Sequence, residues 1–197
     1  MFKKLTLVAA AVLSMASAAN AATIALNKGL SPGFTVQNSS GTAIQSFVFV
    51  GTFAGGANPS GDVTQIASNF NIFGTAVSIA AGATISGAVD YSGLVEDELF
   101  ETLKIFIVVA NSANLATATQ IGVFGNTPVT SFPADVTAAG SSNFNVNTFG
   151  NVEAIGGFGN KVDNASGADV LTLVPVPEPS AALLGALGVV ALLRRRR

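Results

Sequence analysis

Cysteine and histidine are both absent from this 197-residue sequence. Without cysteine the chain has no disulfide framework, no thiolate nucleophile and no Cys-ligated metal site. Without histidine it has no Ser–His–Asp triad, no imidazole base that titrates near neutral pH and no ordinary zinc site. The sequence therefore predicts a non-enzymatic protein without a cofactor, held together by packing and by backbone hydrogen bonds.

Charge is scarce and unevenly distributed. Charged residues make up 10% of the chain, against about 25% in a typical soluble domain. Residues 22–174 contain three basic residues and ten acidic ones, a net charge of −7. Because an acidic body repels phosphate backbones, nucleic acid is not expected as a partner. Apolar residues form 49% of the chain and phenylalanine occurs 14 times, which is enough for a folded core.

The first 21 residues have the three parts of a secretory signal peptide. Lys3 and Lys4 form the positive start, and an apolar run follows from Leu5 to Met15. Ala19 and Ala21 place small side chains at the two positions that signal peptidase must accommodate. We expect signal peptidase to release a mature chain that begins at Ala22, outside the inner membrane.

Residues 175–197 combine a proline-rich stretch, an apolar run and a basic end. Pro175, Pro177 and Pro179 disfavour helix and favour an exposed, extended chain. The run that begins at Ala181 and ends at Leu193 predicts a single short transmembrane helix, about 20 Å long at ~1.5 Å per residue. It ends in a predicted membrane stop, which the positive-inside rule keeps cytoplasmic and which consists of Arg194, Arg195, Arg196 and Arg197.

This C-terminal order of elements resembles the PEP-CTERM sorting signal of Gram-negative bacteria. Pro177, Glu178 and Pro179 match its Pro-Glu-Pro motif, and the apolar run and arginine cluster match its other two parts. The resemblance covers about the last 23 residues together with the expected signal peptide. It implies processing by an exosortase, a membrane transpeptidase-like enzyme. It also implies a host that makes exopolysaccharide, and a mature product at the cell surface or in the extracellular matrix.

The middle segment, residues 22–174, predicts an all-β ectodomain. Short apolar runs alternate with glycine-rich breaks, a rhythm typical of sandwiches and barrels. Residues 78–89 resemble the loop-and-strand pattern of immunoglobulin-like bacterial surface domains, so we expect an Ig-like or related β-sandwich. Val48, Phe49 and Val50, and the run from Ile105 to Val109, predict strands buried on both faces. The predicted strands cover residues 23–27, 33–37, 43–53, 63–67, 75–79, 84–91, 103–110, 119–124, 143–149 and 170–174.

Two groups of oxygen-bearing side chains are candidate cation sites. The first is acidic and consists of Glu96, Asp97, Glu98 and Glu101. Clustered carboxylates can hold Ca²⁺, which needs six to eight oxygen ligands. The spacing and glycine of an EF-hand are absent, which favours a solvated acidic turn before the strand at 103–110 and no metal. The second group, Asp163 and Asn164 with Asp169, has no defined spacing and favours a loop.

The function predicted from these features is an exported, non-enzymatic structural or adhesive component of the cell surface or of an exopolysaccharide or biofilm matrix. Its expected partners are signal peptidase, exosortase and, transiently, the inner membrane, with exopolysaccharide as a candidate. A carbohydrate- or Ca²⁺-binding module is one alternative. An anchored carboxylate-dependent hydrolase is another alternative. Glycosidases, however, need two facing acids at a set separation, and the chain has no tryptophan that could stack against a sugar ring.

Overall fold

The computed structural model describes residues 23–26, 34–56, 58–59, 63–85, 87–90, 99–126, 129–134, 141–144, 152–162 and 169–177. These residues are mostly β-strand, which confirms the predicted all-β class. A short helix, α1 (Ile66–Asn69), lies directly before the strand that begins at Phe70. The strands of this part of the chain are β1 (Thr23–Leu26), β2 (Phe34–Gln37), β3 (Ser46–Phe53), β4 (Phe70–Ile79), β5 (Gly87–Asp90), β6 (Phe106–Ala110), β7 (Gln120–Asn126), β8 (Ser141–Phe144), β9 (Val152–Ala154), β10 (Asn160–Val162), β11 (Asp169–Thr172) and β12 (Val174–Pro175).

The described strands form one large sheet and two small ones. The main sheet has the order β12-β7-β6-β3-β4, and β9 also pairs with β7. One flanking sheet has the order β5-β1-β8 and the other has the order β10-β11-β2. All pairs in the main sheet are antiparallel. Each flanking sheet contains one parallel pair, β1 with β8 and β11 with β2.

The two central strands of the main sheet, β3 and β6, are buried on both faces, as predicted. On one face Val48, Val50 and Ile107 belong to an inner core, which also contains side chains from both flanking sheets. On the other face Phe49 and Val108 belong to an outer core. Alternate side chains of a strand point to opposite faces, so a continuous apolar run is what a doubly covered strand requires. Each fully buried Val, Ile or Phe contributes about 1.5–3 kcal/mol, which offsets the lack of disulfides.

A bulge interrupts the pairing of β4 with β3 without changing which face of the sheet the side chains on either side of the bulge point to. Val48 pairs with Val77 and Val50 pairs with Phe73, so three residues of β4 stand opposite one residue of β3. Gly74 lies in the bulge with φ 66°, a conformation that glycine adopts without a Cβ clash. Phe73 and Val77 therefore both contact the inner core despite the interruption.

The prediction of a strand at residues 63–67 is wrong. Val63–Gln65 forms a 3-10 turn and leads directly into α1. Val63, Ile66, Ala67 and Phe70 all contact the outer core, and their spacing of three and four residues is that of a helix. The segment is helical because a helix places these four apolar side chains together against the outer face of the main sheet, where they are removed from water.

Other boundaries also differ from the prediction. The strand expected at 143–149 is represented by β8, which begins earlier, and residues 145–149 lie outside the described ranges. Strands β9 and β10 were not predicted. No helix among the described residues has the length and apolar character needed to cross a membrane. The predicted signal peptide and the predicted transmembrane helix from Ala181 to Leu193 both lie outside those residues.

Candidate functional site

An open cleft of about 450 Å³ lies on the outer side of the main sheet. Three parts of the chain form it: the α1 region, the loop that precedes β7, and the residues that follow β12. None of the described residues that line it is charged. They are Val63, Ala67, Ser68, Leu115, Ala116, Thr117, Ala118, Thr119, Ile121, Val176 and Pro177.

One wall of the cleft is a loop fixed by its own polar side chains. The Asn111 Oδ1 accepts hydrogen bonds from the backbone N–H of Thr119 (3.0 Å) and Gln120 (3.1 Å). The Asn111 Nδ2 donates to the Thr119 Oγ1 at 2.8 Å. Asn114 caps the 3-10 turn Leu115–Thr117 by accepting from the Ala116 N–H at 3.0 Å. These bonds satisfy backbone groups that no strand partner reaches, so the wall has a defined shape.

The opposite wall is α1. Ile66 is 3% exposed and anchors this short helix on the outer core. Anchoring matters because a single helical turn is not stable on its own in water. Ala67 and Ser68, which follow Ile66, form the rim on this side. Burial of Ile66 therefore determines where this wall stands.

The third side of the cleft is the end of the described chain. Strand β12 pairs with β7 through Val174 with Ile121 and Pro175 with Gln120. The Val176 N–H then donates to the Thr119 carbonyl oxygen at 2.8 Å. Val176 is half-buried against the outer core, and the exposed Pro177 lies at the rim. The first residue of the predicted Pro-Glu-Pro motif is thus part of the cleft.

The rest of the predicted sorting motif and the signal cleavage site lie outside the described residues. Pro177 is described, whereas Glu178, Pro179 and the arginine cluster Arg194–197 are not. Ala19 and Ala21 likewise lie outside. Their roles stay predictions.

The acidic group is only partly described. Glu101 is half-buried in a turn that precedes the irregular segment 103–105, and Glu96, Asp97 and Glu98 lie outside the described residues. Within the described ranges, His, Cys, Asp and Glu side chains form no group of three or more that could hold a metal ion. The strand expected from residue 103 begins only at Phe106.

Asp169 lies in a strand and not in the loop that its sequence context favours. It is the first residue of β11 and is 4% exposed. Its Oδ2 lies 4.0 Å from the Nζ of Lys161 on the neighbouring β10. That Nζ also lies 6.0 Å from the centre of the Phe34 ring, within the range of a cation–π contact. Asp169 therefore takes part in a buried ion pair, while Asp163 and Asn164 lie outside the described residues.

Sequence reasoning did not identify the cleft. Its walls come from segments more than a hundred residues apart, such as Val63 and Val176, and only the helical spacing at 63–70 could have indicated one of them. Comparisons with protein-family models, with curated proteins and with solved structures give no match for this chain.

Proposed function

We propose that this chain is an exported surface or extracellular-matrix protein, processed by an exosortase at Pro177, Glu178 and Pro179. The support is the order of three elements in the last 23 residues: the proline motif, an uncharged run and four arginines. A single Pro-Glu-Pro would carry no weight. The complete order together with an N-terminal signal peptide is specific.

One structural observation carries the proposal further. The last described strand, β12, ends at Pro175, and the motif begins two residues later at the exposed Pro177. Prolines fit at this point because β12 lies at the edge of the main sheet as far as the structure describes it, and at an edge a missing N–H need not break a ladder. The first residue of the proposed motif is thus exposed and follows a short strand directly, which fits a signal that an enzyme reads as an extended chain.

In this proposal the middle domain has a structural or adhesive role and no catalytic one. We place it among Ig-like or related β-sandwiches, because the inner core joins side chains of the main sheet to those of both flanking sheets. The described residues that line its cleft carry no charge, which suits packing against another surface better than hydrolysis. Exopolysaccharide or another matrix component is the proposed surrounding of the mature protein.

The test uses two variants of the full chain in a host that contains an exosortase. Replacing Pro177, Glu178 and Pro179 by alanine removes the recognition motif and leaves the run from Ala181 to Leu193 able to enter the bilayer. We expect unprocessed protein in the inner membrane. Deleting Arg194–197 removes charges that each cost roughly 2.5–3.5 kcal/mol at the bilayer centre. We expect that variant to reach the periplasm at full length.

Cell fractionation and intact-mass analysis measure both results. Pro133→Ala, which removes a proline far from the motif in sequence, is the matched control and should be processed like the wild type. If both test variants are also processed and displayed like the wild type, residues 175–197 are not a sorting signal.

A further inference from the structure

The link between the folded core and the proposed sorting motif is very short. Leu173 is fully buried in the inner core, and its N–H donates to the Gln37 carbonyl oxygen at 3.0 Å. Pro177, the first residue of the motif, comes four residues later. Residues 174–177, which we call the C-terminal strap, lie against β7 and the cleft. No free linker separates the strap from the core.

Among the described residues, few interactions hold the strap. It makes two paired positions with β7, whereas β3 and β4 make seven. Because Val176 bonds to the Thr119 carbonyl, the adjacent pair Gln120–Pro175 occupies a non-hydrogen-bonded position of an antiparallel ladder. Val174 and Val176 are only half-buried, and Pro175 and Pro177 are exposed. The strap can therefore leave β7 while Leu173 stays in place.

An enzyme that binds an extended peptide must surround several consecutive residues of it. In the described structure the residue before the motif, Val176, has its N–H bonded to the domain, and Pro177 lines the cleft. The loop wall of the cleft stands beside both residues. A peptide-binding groove of an enzyme cannot enclose Pro177 while one side of this residue lies against the cleft.

We propose that detachment of the C-terminal strap gates processing of the sorting motif; this inference rests on the proposed function. Release of residues 174–177 frees up to about 14 Å of extended chain, at ~3.3–3.6 Å per residue. The attached state hides the upstream side of the motif, and the detached state presents it. The observed processing rate then scales with the fraction of molecules in which the strap is detached.

The gate is testable with a disulfide, because the chain contains no cysteine of its own. Gln120 and Pro175 are directly paired, and paired residues of antiparallel strands have Cα atoms about 4.5–5.5 Å apart, within the range that a disulfide spans. The full-length Gln120→Cys, Pro175→Cys variant is incubated, oxidised or reduced, with membranes that contain the exosortase. The two single-cysteine variants and the wild type are the controls. Conversion to the shorter product is followed by intact mass.

We expect the oxidised double variant to be processed at least about tenfold more slowly than its reduced form, with both single variants close to the wild type. A second variant acts in the opposite direction. Val174→Ala with Val176→Ala removes apolar contacts of the strap and leaves the motif intact, so its processing should be about tenfold faster. Equal rates for the oxidised and reduced double variant, or no acceleration by the valine substitutions, overturn the gate while wild-type processing shows that the proposed function stands. Absence of processing in the wild type overturns both.

Discussion

Replacing Phe73 by alanine tests the packing between the main sheet and the irregular segments that cover its inner face. Phe73 lies in β4 and is fully buried. Its ring centre lies 5.4 Å from that of Phe100 and 5.0 Å from that of Phe132, and the last two are 5.2 Å apart. These separations are those of favourable tilted or edge-to-face aromatic pairs. The three rings thus join β4 to segments 99–105 and 129–134.

The expected loss is about 4 kcal/mol, within the range of 3–5 kcal/mol for Phe→Ala in a core. We place it in the middle of that range because two aromatic pairs are lost, each of about 0.5–1.5 kcal/mol, while the irregular segments can partly relax into the cavity. The neighbouring Ile72 is the matched control. It is 42% exposed on the opposite side of the same strand, so Ile72→Ala should cost about 1 kcal/mol.

Urea unfolding followed by far-UV circular dichroism measures both variants, since tryptophan fluorescence is not an option in this chain. With a slope of about 2 kcal/mol per molar urea, Phe73→Ala should lower the midpoint by about 2 M and Ile72→Ala by about 0.5 M. Equal midpoints for the two variants would refute the assignment of Phe73 to the inner core.

Three further predictions follow from the described residues. Gly51→Ala should destabilise the protein by about 1–3 kcal/mol, because a Cβ there would collide with the Asn71 carbonyl oxygen of β4 and lie 2.8 Å from the Phe70 ring; a wild-type urea midpoint would contradict this. Asn111→Ala should cost about 1–2 kcal/mol and speed hydrogen exchange at the Thr119 amide, whose acceptor it removes; unchanged exchange would show that the cleft wall does not depend on this side chain. Millimolar Ca²⁺ should leave the melting temperature unchanged, whereas a rise that Glu101→Gln abolishes would reveal a binding site.

The strands β3, β6 and β7 of the main sheet could be predicted because their signals are local. A run such as that of β6, Phe106–Ala110, is apolar at every position and is buried at every position. Few environments except a doubly covered strand accept such a run in a short segment. The short strands β9 and β10 carry no comparable pattern. They form because the backbone groups of β7 and β11 are available for pairing on one side, where β9 and β10 bind them.

The helix α1 shows where local reasoning fails. A short apolar segment fits a strand or one helical turn equally well by pattern. Contacts with the outer core decide in favour of the helix, since Ile66 covers a surface that would otherwise face water. The same holds for Asp169. The register of β10 and β11 pairs Lys161 with Leu171, so Asp169 lies two residues along β11 from the partner of Lys161, and its carboxylate reaches the ammonium group diagonally.

The sequence by itself determined the absence of disulfides, the all-β class and the predicted targeting signals at both ends. Such signals are read by enzymes as short linear segments, so residue order alone carries the prediction. Only the tertiary structure decided that Val176 and Pro177 meet α1 and the loop before β7 in one cleft. Proximity between segments more than a hundred residues apart depends on sheet pairing and core packing summed over the chain, and no local pattern encodes that sum.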